Sequence, residues 1–122
     1  FKNTKANYDQ KDFYKIQIDF PRNELLKKIS TRTKEMIKKG AILEVKKFIK
    51  LRVPKDKSAN KAIGINEVKQ YLSKKIQIED VIEKISIKTR QYAKRQSTWG
   101  RGNMLDWNRI NANSLNKFLK KI

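Results

Sequence analysis

The chain of 122 residues carries 31 Lys plus Arg against 12 Asp plus Glu, a net charge of +19, and 38% of it is hydrophobic. That length allows one domain, or a piece of one, with a modest core. There is no Cys and no His, which excludes disulfides, Cys/His zinc sites, thiol nucleophiles and Ser-His-Asp chemistry. The four glycines stand at 40, 64, 100 and 102, so neither a GxxxxGK(S/T) phosphate loop nor a GxGxxG dinucleotide loop is encoded. No run approaches the ~20 apolar residues of a membrane span, and no signal-peptide core is visible. The first residue, Phe1, hints at a chain that is processed or belongs to something longer.

The charge makes an anionic partner the leading expectation, nucleic acid first and an acidic membrane surface second. A second source must be weighed. Lys supplies 24 of the 31 basic residues, beside 15 Ile and 10 Asn, the mixture that an AT-rich genome's codon bias gives. The distribution favours function. From Lys84 to Ile122 there are ten basic residues and one acid, Asp106. The seven Arg positions carry more information than the Lys positions, because guanidinium is the better bidentate phosphate ligand.

Residues 1–12 are polar and read as frayed. Residues 13–20 (FYKIQIDF) alternate, with Ile16, Ile18 and Phe20 on one side, and read as a strand. A lone strand needs a sheet, which points to a missing remainder of the fold. Pro21 stops the strand and suits a first helical turn. A helix over 22–39 follows, with Leu25, Leu26, Ile29, Met36 and Ile37 apolar and Gly40 as its C-cap. Arg32 falls in line with Leu25, Ile29 and Met36. A charge on such a stripe needs a partner or a ligand: a structural ion pair, a snorkelling guanidinium, or an anion clamp suited to pyrophosphate. A second helix covers about 41–51, residues 52–61 form a loop, and a short helix follows Gly64 over 66–73. Gly64, between Ile63 and Ile65, permits positive φ or close backbone approach; a tight turn is the simpler account.

The longest helix covers about 78–99. Glu79, Asp80 and Glu83 near its start and Lys94 and Arg95 near its end suit the helix dipole. Gly100 and Gly102 are expected to end it. Ile78, Val81, Ile82, Ile85, Thr89, Tyr92, Gln96 and Trp99 share one side, which puts Tyr92 and Trp99 in the core. Arg90, Lys94, Ser97 and Arg101 share the other, with Arg95 on the flank. This basic, hydroxyl-bearing side suits a phosphate backbone; the competing reading is an ordinary solvated face. A strand near 103–107 and a last helix from Ser114, with Leu115, Phe118, Leu119 and Ile122 apolar, complete the chain.

The run Thr89-Arg90-Gln91-Tyr92-Ala93-Lys94-Arg95-Gln96-Ser97-Thr98-Trp99-Gly100-Arg101 closely resembles a signature of the tRNA dimethylallyltransferases. Shorter matches occur in the family's order. Pro21-Arg22-Asn23-Glu24-Leu25 leads into Ile29, Arg32 and Met36. Gly40-Ala41-Ile42-Leu43-Glu44-Val45 resembles a G-L-I-E-E-V segment. Ala62-Ile63-Gly64, then Glu67 and Tyr71-Leu72, resembles A-I-G-Y-K-E…Y-L. Trp107 matches a late Trp. Together they cover about residues 13–110.

The resemblance implies a mainly α fold, the helical C-terminal portion of a P-loop-type α/β transferase with two short strands. It implies one C-terminal fragment: a core strand at 13–20, a tRNA-contacting helical part at 22–99, and a strand and helix at 103–122. Its activity would be transfer of a dimethylallyl group from dimethylallyl pyrophosphate to N6 of the adenosine beside the anticodon. That adenine is flipped into a closed channel, and Mg²⁺ and basic groups stabilise the leaving pyrophosphate.

Residue by residue, Arg32 matches an arginine that contacts pyrophosphate. Lys61, Ala62, Ile63, Gly64, Ile65 and Asn66 match one tRNA-contacting segment. Lys94, Arg95, Gln96, Ser97, Thr98, Trp99, Gly100 and Arg101 match a second, to which the helical phase adds Arg90. Ile65 and Asn66 replace the family's Tyr and basic residue. Leu43 replaces its first Glu, and Gly100 stands where a bulky residue is common. The phosphate loop, the catalytic Asp and the Mg²⁺ ligands belong to an N-terminal half that this sequence lacks. The expected partners are tRNA and that missing half, with no membrane, in a cytoplasmic enzyme that is monomeric at full length. This chain alone is expected to be inactive. The alternatives are a stand-alone basic RNA-binding module, or a helical interaction module whose charge reflects codon bias.

Overall fold

A computed structural model describes residues 5–121. The expectations for Phe1 and for Ile122 lie outside these residues. In chain order the elements are strand β1 (Ile16–Asp19), helices α1 (Arg22–Lys38), α2 (Ala41–Lys50), α3 (Ile65–Leu72) and α4 (Ile78–Asn103), strand β2 (Asn108–Asn111) and helix α5 (Leu115–Leu119), with short 3₁₀ turns between some of them. The chain divides into two compact units. Arg22–Ser97 forms a helical unit. Residues up to Pro21 and from Thr98 onward form the other.

In the helical unit, α1 and α2 are separated by two residues, Lys39 and Gly40, and the second makes the turn. Its φ of +113° is left-handed backbone that glycine adopts without strain. The core is small: Val45 of α2, Val68 of α3, and Val81 and Ile85 of α4. Ile37, Ile42, Ile65, Tyr71, Leu72, Ile76 and Ile78 pack around it. From α1, Ile29 and Thr33 are buried, and the Thr33 hydroxyl donates to the Ile29 carbonyl at 2.8 Å. The buried line of α1 therefore runs through Ile29, Thr33 and Ile37. Arg32 lies to one side of it and is exposed. The expected charge on an apolar stripe is corrected: the guanidinium stands in water and needs no protein partner.

In the other unit, β1 and β2 form a two-stranded parallel sheet, with Ile16 opposite Asn108 and Ile18 opposite Ile110. The partner strand that β1 lacked in the sequence reading is thus β2. It begins beyond the expected 103–107. Gly100 and Gly102 do not end α4, which continues to Asn103. Each helical Gly costs only about 1 kcal/mol. The terminus is set one turn later: the Asn103 side chain donates to the Trp99 carbonyl at 2.9 Å, and the Met104 N–H to the Gly100 carbonyl at 2.8 Å. Residues 105–107 then turn, and the strand starts at Asn108. Gly100 is buried, and a Cβ there would meet the side-chain amide of Gln17. Lys15 pairs with Asp106 at 3.3 Å. Tyr14 and Phe118 bring their rings within 5.8 Å. Ser114 takes the N-cap position of α5 without a side-chain cap bond. The preceding 3₁₀ turn is capped by Asn111, whose side chain accepts from the Asn113 N–H at 2.9 Å.

Candidate nucleic-acid interface

Two stretches are singled out by sequence. The first is the turn Lys61–Asn66. Lys61 closes a 3₁₀ turn, and Lys61, Ala62, Ile63 and Asn66 are exposed. Gly64 is buried, caps α3, and has φ +105°. Having no side chain, it leaves the first N–H groups of α3 uncapped. The α3 side answers: Oε2 of Glu67 accepts the Gly64 N–H at 3.0 Å. Ile65 is half-buried and packs against the core. Its aliphatic side chain is therefore used for packing.

Glu67 entered the sequence analysis only as part of a matched segment, with no role given to it. It is 2% exposed. Its other oxygen, Oε1, forms an ion pair with Nζ of Lys88 on α4. Burial pushes this carboxyl up. The Lys88 hydrogen bond and charge, together with the Glu67 and Gly64 backbone donors, outweigh burial and hold it below the ordinary carboxylate value. A carboxyl so lowered gives stability that is present above its unfolded pKa and lost as pH falls through the folded value. The melting temperature of the chain is expected to drop as pH falls from about 5 into the acid range. Glu67→Gln should flatten that drop. Thermal melts at stepped pH check it, and parallel curves for the two proteins would contradict it.

The second stretch is the C-terminal half of α4. Its buried line runs through Val81, Ile85 and Ser86, with Thr89, Arg90 and Ala93 half-buried. From Lys94 to Trp99 every residue is exposed. Tyr92 is 56% and Trp99 57% exposed, so the expectation that both aromatics join the core is corrected. They keep the helical phase, but no residue from Lys94 to Trp99 has packing to bury it. Lys94, Arg95 and Arg101 are exposed, and none forms an ion pair with a described residue. Gln96, Ser97 and Thr98 lie exposed among them and Gly100 is buried. Arg90 behaves differently. It is half-buried and lines a cleft of about 360 Å³ between α1 and α4, with Ser30 and Lys34 on one wall and Ser86 on the other.

The C-terminal half of α4 presents unpaired cations and exposed aromatic faces along a helix. It can position a phosphate backbone and stack bases. Among the described residues no group of acidic side chains could hold a metal ion, and no helix is long and apolar enough to cross a membrane.

The family model of IPP transferase matches residues 1–103. The chain belongs to the IPP transferase family. It is 49% identical over 119 residues to the tRNA dimethylallyltransferase of Pelagibacter ubique, covering 98% of this chain and 38% of that protein. With the Ehrlichia ruminantium tRNA dimethylallyltransferase it is 50% identical over 78 residues, 64% of this chain and 26% of the relative. Among solved structures, the full-length tRNA isopentenylpyrophosphate transferase from Bacillus halodurans superimposes with a TM-score of 0.73 at 31% identity, over 90% of this chain and 35% of that one. The mainly helical architecture is thus that of a portion of an IPP transferase, and the chain spans less than two-fifths of the curated relatives it matches.

Proposed function

We propose that this IPP-transferase chain supplies the tRNA-contacting surface, and one pyrophosphate-binding arginine, of a tRNA dimethylallyltransferase. The observation that carries the reading is the series Lys94, Arg95 and Arg101. These side chains are exposed, free of ion pairs with described residues, and set within the family's signature. In the reaction, N6 of an adenine beside the anticodon attacks C1 of dimethylallyl pyrophosphate. The new N–C bond forms as the C–O bond to pyrophosphate breaks, and N6 gives up a proton. Arg32, exposed on α1, would hold the departing pyrophosphate through its planar fork. Lys61–Asn66 and Lys94–Arg101, with Arg90, would hold the anticodon stem-loop.

The group that accepts the proton and the loop that holds the phosphates are not among these residues. Among the described residues no acidic cluster fits the Mg²⁺ of the family, and no step is routed through a metal. Catalysis is therefore assigned to this chain only together with a polypeptide that bears the phosphate loop, in a cytoplasmic, monomeric enzyme. The exposed Lys94, Arg95 and Arg101 would equally serve a second reading, an RNA-binding module without chemistry.

Both readings require binding of an anticodon stem-loop. Fluorescence anisotropy across a range of KCl concentrations should give a log affinity that falls with log salt, with a slope of about −2 to −4, as three to five neutralised phosphates produce. Absence of salt-sensitive binding would contradict the reading.

A further inference from the structure

We propose that Glu67 is a positioning residue for RNA recognition: its carboxylate clamps the Lys61–Asn66 turn to α4. The proposal rests on the reading that this turn meets tRNA. One oxygen of the carboxylate holds the Gly64 N–H at 3.0 Å and the other holds the Lys88 ammonium. Gly64, whose φ is +105°, has no side chain of its own to fix the turn. The turn's other hydrogen bonds are local. The Ala62 N–H reaches the Ala59 carbonyl at 3.4 Å, and the Ile65 N–H the Ala62 carbonyl at 3.3 Å. The Asn60 side chain reaches back to the Pro54 carbonyl at 2.7 Å. The Glu67 carboxylate links the backbone of this turn to the helix that carries the basic cluster.

The placement argues against a device for stability alone. Glu67 is 2% exposed beside Val68, and Val81 and Ile85 complete the core next to it. A buried ion pair is often no more stabilising than apolar residues of the same volume. What it does provide is direction, because the two oxygens accept from two fixed donors on different elements. Lys88 has a further consequence. It stands two residues from Arg90 on α4, and its side chain is 49% exposed. Its charge is nonetheless matched by Glu67, so it adds little to the field that attracts phosphate. Loss of Lys88 should weaken RNA binding through the turn and not through counterion release.

The test uses the 122-residue chain with Glu67→Gln, Lys88→Met, Lys88→Arg, Lys61→Ala and the Lys61→Ala/Glu67→Gln pair. Amide exchange by NMR reads the clamp without RNA. Anisotropy with an anticodon stem-loop reads its consequence. Glu67→Gln should speed exchange at Gly64 while the Val81–Ile85 amides of α4 stay protected. Glu67→Gln and Lys88→Met should each lower stem-loop affinity about tenfold, the loss of one well-placed charge-assisted hydrogen bond. The salt slope should not change, and Lys88→Arg should restore affinity. Once Lys61 is removed, Glu67→Gln should cost less, because both act through one turn.

Unchanged Gly64 exchange overturns the proposal, as do strict additivity of the pair or a shallower salt slope for Lys88→Met. Uniform loss of protection throughout the unit also overturns it, in favour of a purely structural role. If the unsubstituted chain binds no stem-loop while the Gly64 amide stays protected, the functional reading itself fails and the proposal falls with it.

Discussion

Replacing Arg95 and Arg101 together by alanine is expected to lower affinity for an anticodon stem-loop by about 100-fold at moderate salt. A hydrogen bond to a charged group contributes about 1.5 kcal/mol or more, roughly tenfold for each arginine. The salt slope should become shallower by about 0.7 to 0.9 for each lost phosphate contact. Both side chains are exposed and have no ion pair with a described residue, so neither substitution breaks an internal contact and the melting temperature should hold. Arg52→Ala, which removes an exposed charge beyond the end of α2, serves as the charge control and should change affinity less than twofold, as non-specific attraction alone would predict. Equal losses for the control and for either arginine would return the +19 charge to codon bias.

The second large effect is on folding. Val81→Asp is expected to abolish the cooperative thermal transition of the helical unit. Val81 is fully buried, at 0% exposure, among Val45, Val68 and Ile85. An unpaired carboxylate there costs several kcal/mol. A unit of this size has roughly 4–11 kcal/mol in total. Val81→Ala keeps the site apolar and removes two methyl groups, a loss of about 2 kcal/mol and on the order of 10 °C in melting temperature. Circular dichroism melts separate the cases. A Val81→Asp chain that melts like Val81→Ala would mean that the site admits water.

The parts of this fold that sequence made legible are those where one local rule decides. The period of α4 over Ile78–Ile85 and the glycine hinge at Gly40 needed only the helical repeat and a positive φ. Gly100 and Gly102 failed as terminators because the end of α4 depends on Asn103 and Met104, and because Gln17, far away in sequence, lies against Gly100. The late strand was expected a few residues early, near 103–107, because Asn108–Asn111 has no apolar alternation and pairing with β1 makes it a strand.

At the site, the charge run of α4 could be read directly from its residue types, but the half-burial of Arg90 could not. The aromatics were misplaced because phase says which side a residue takes, while burial depends on how far the packed surface extends. Arg32 was misplaced by one helical step: Thr33, able to satisfy its hydroxyl on the Ile29 carbonyl, takes the buried line. The Glu67–Lys88 pair was invisible because the two residues meet only when α3 packs on α4. The one available signal was a glutamate three residues after the glycine that caps a helix.

The central claim is that this chain is the RNA-holding part of a prenyl transferase and does chemistry only with its phosphate-loop partner. Transfer of radiolabelled dimethylallyl to an anticodon stem-loop tests it most directly. The chain alone is compared with a polypeptide in which the phosphate-loop half of a relative precedes it. The expected result is label in the RNA from the joined polypeptide, none from the chain alone, and loss of the signal on Arg32→Ala in the joined form. Label transferred by the 122-residue chain alone, or a joined polypeptide indifferent to Arg32→Ala, would contradict the account.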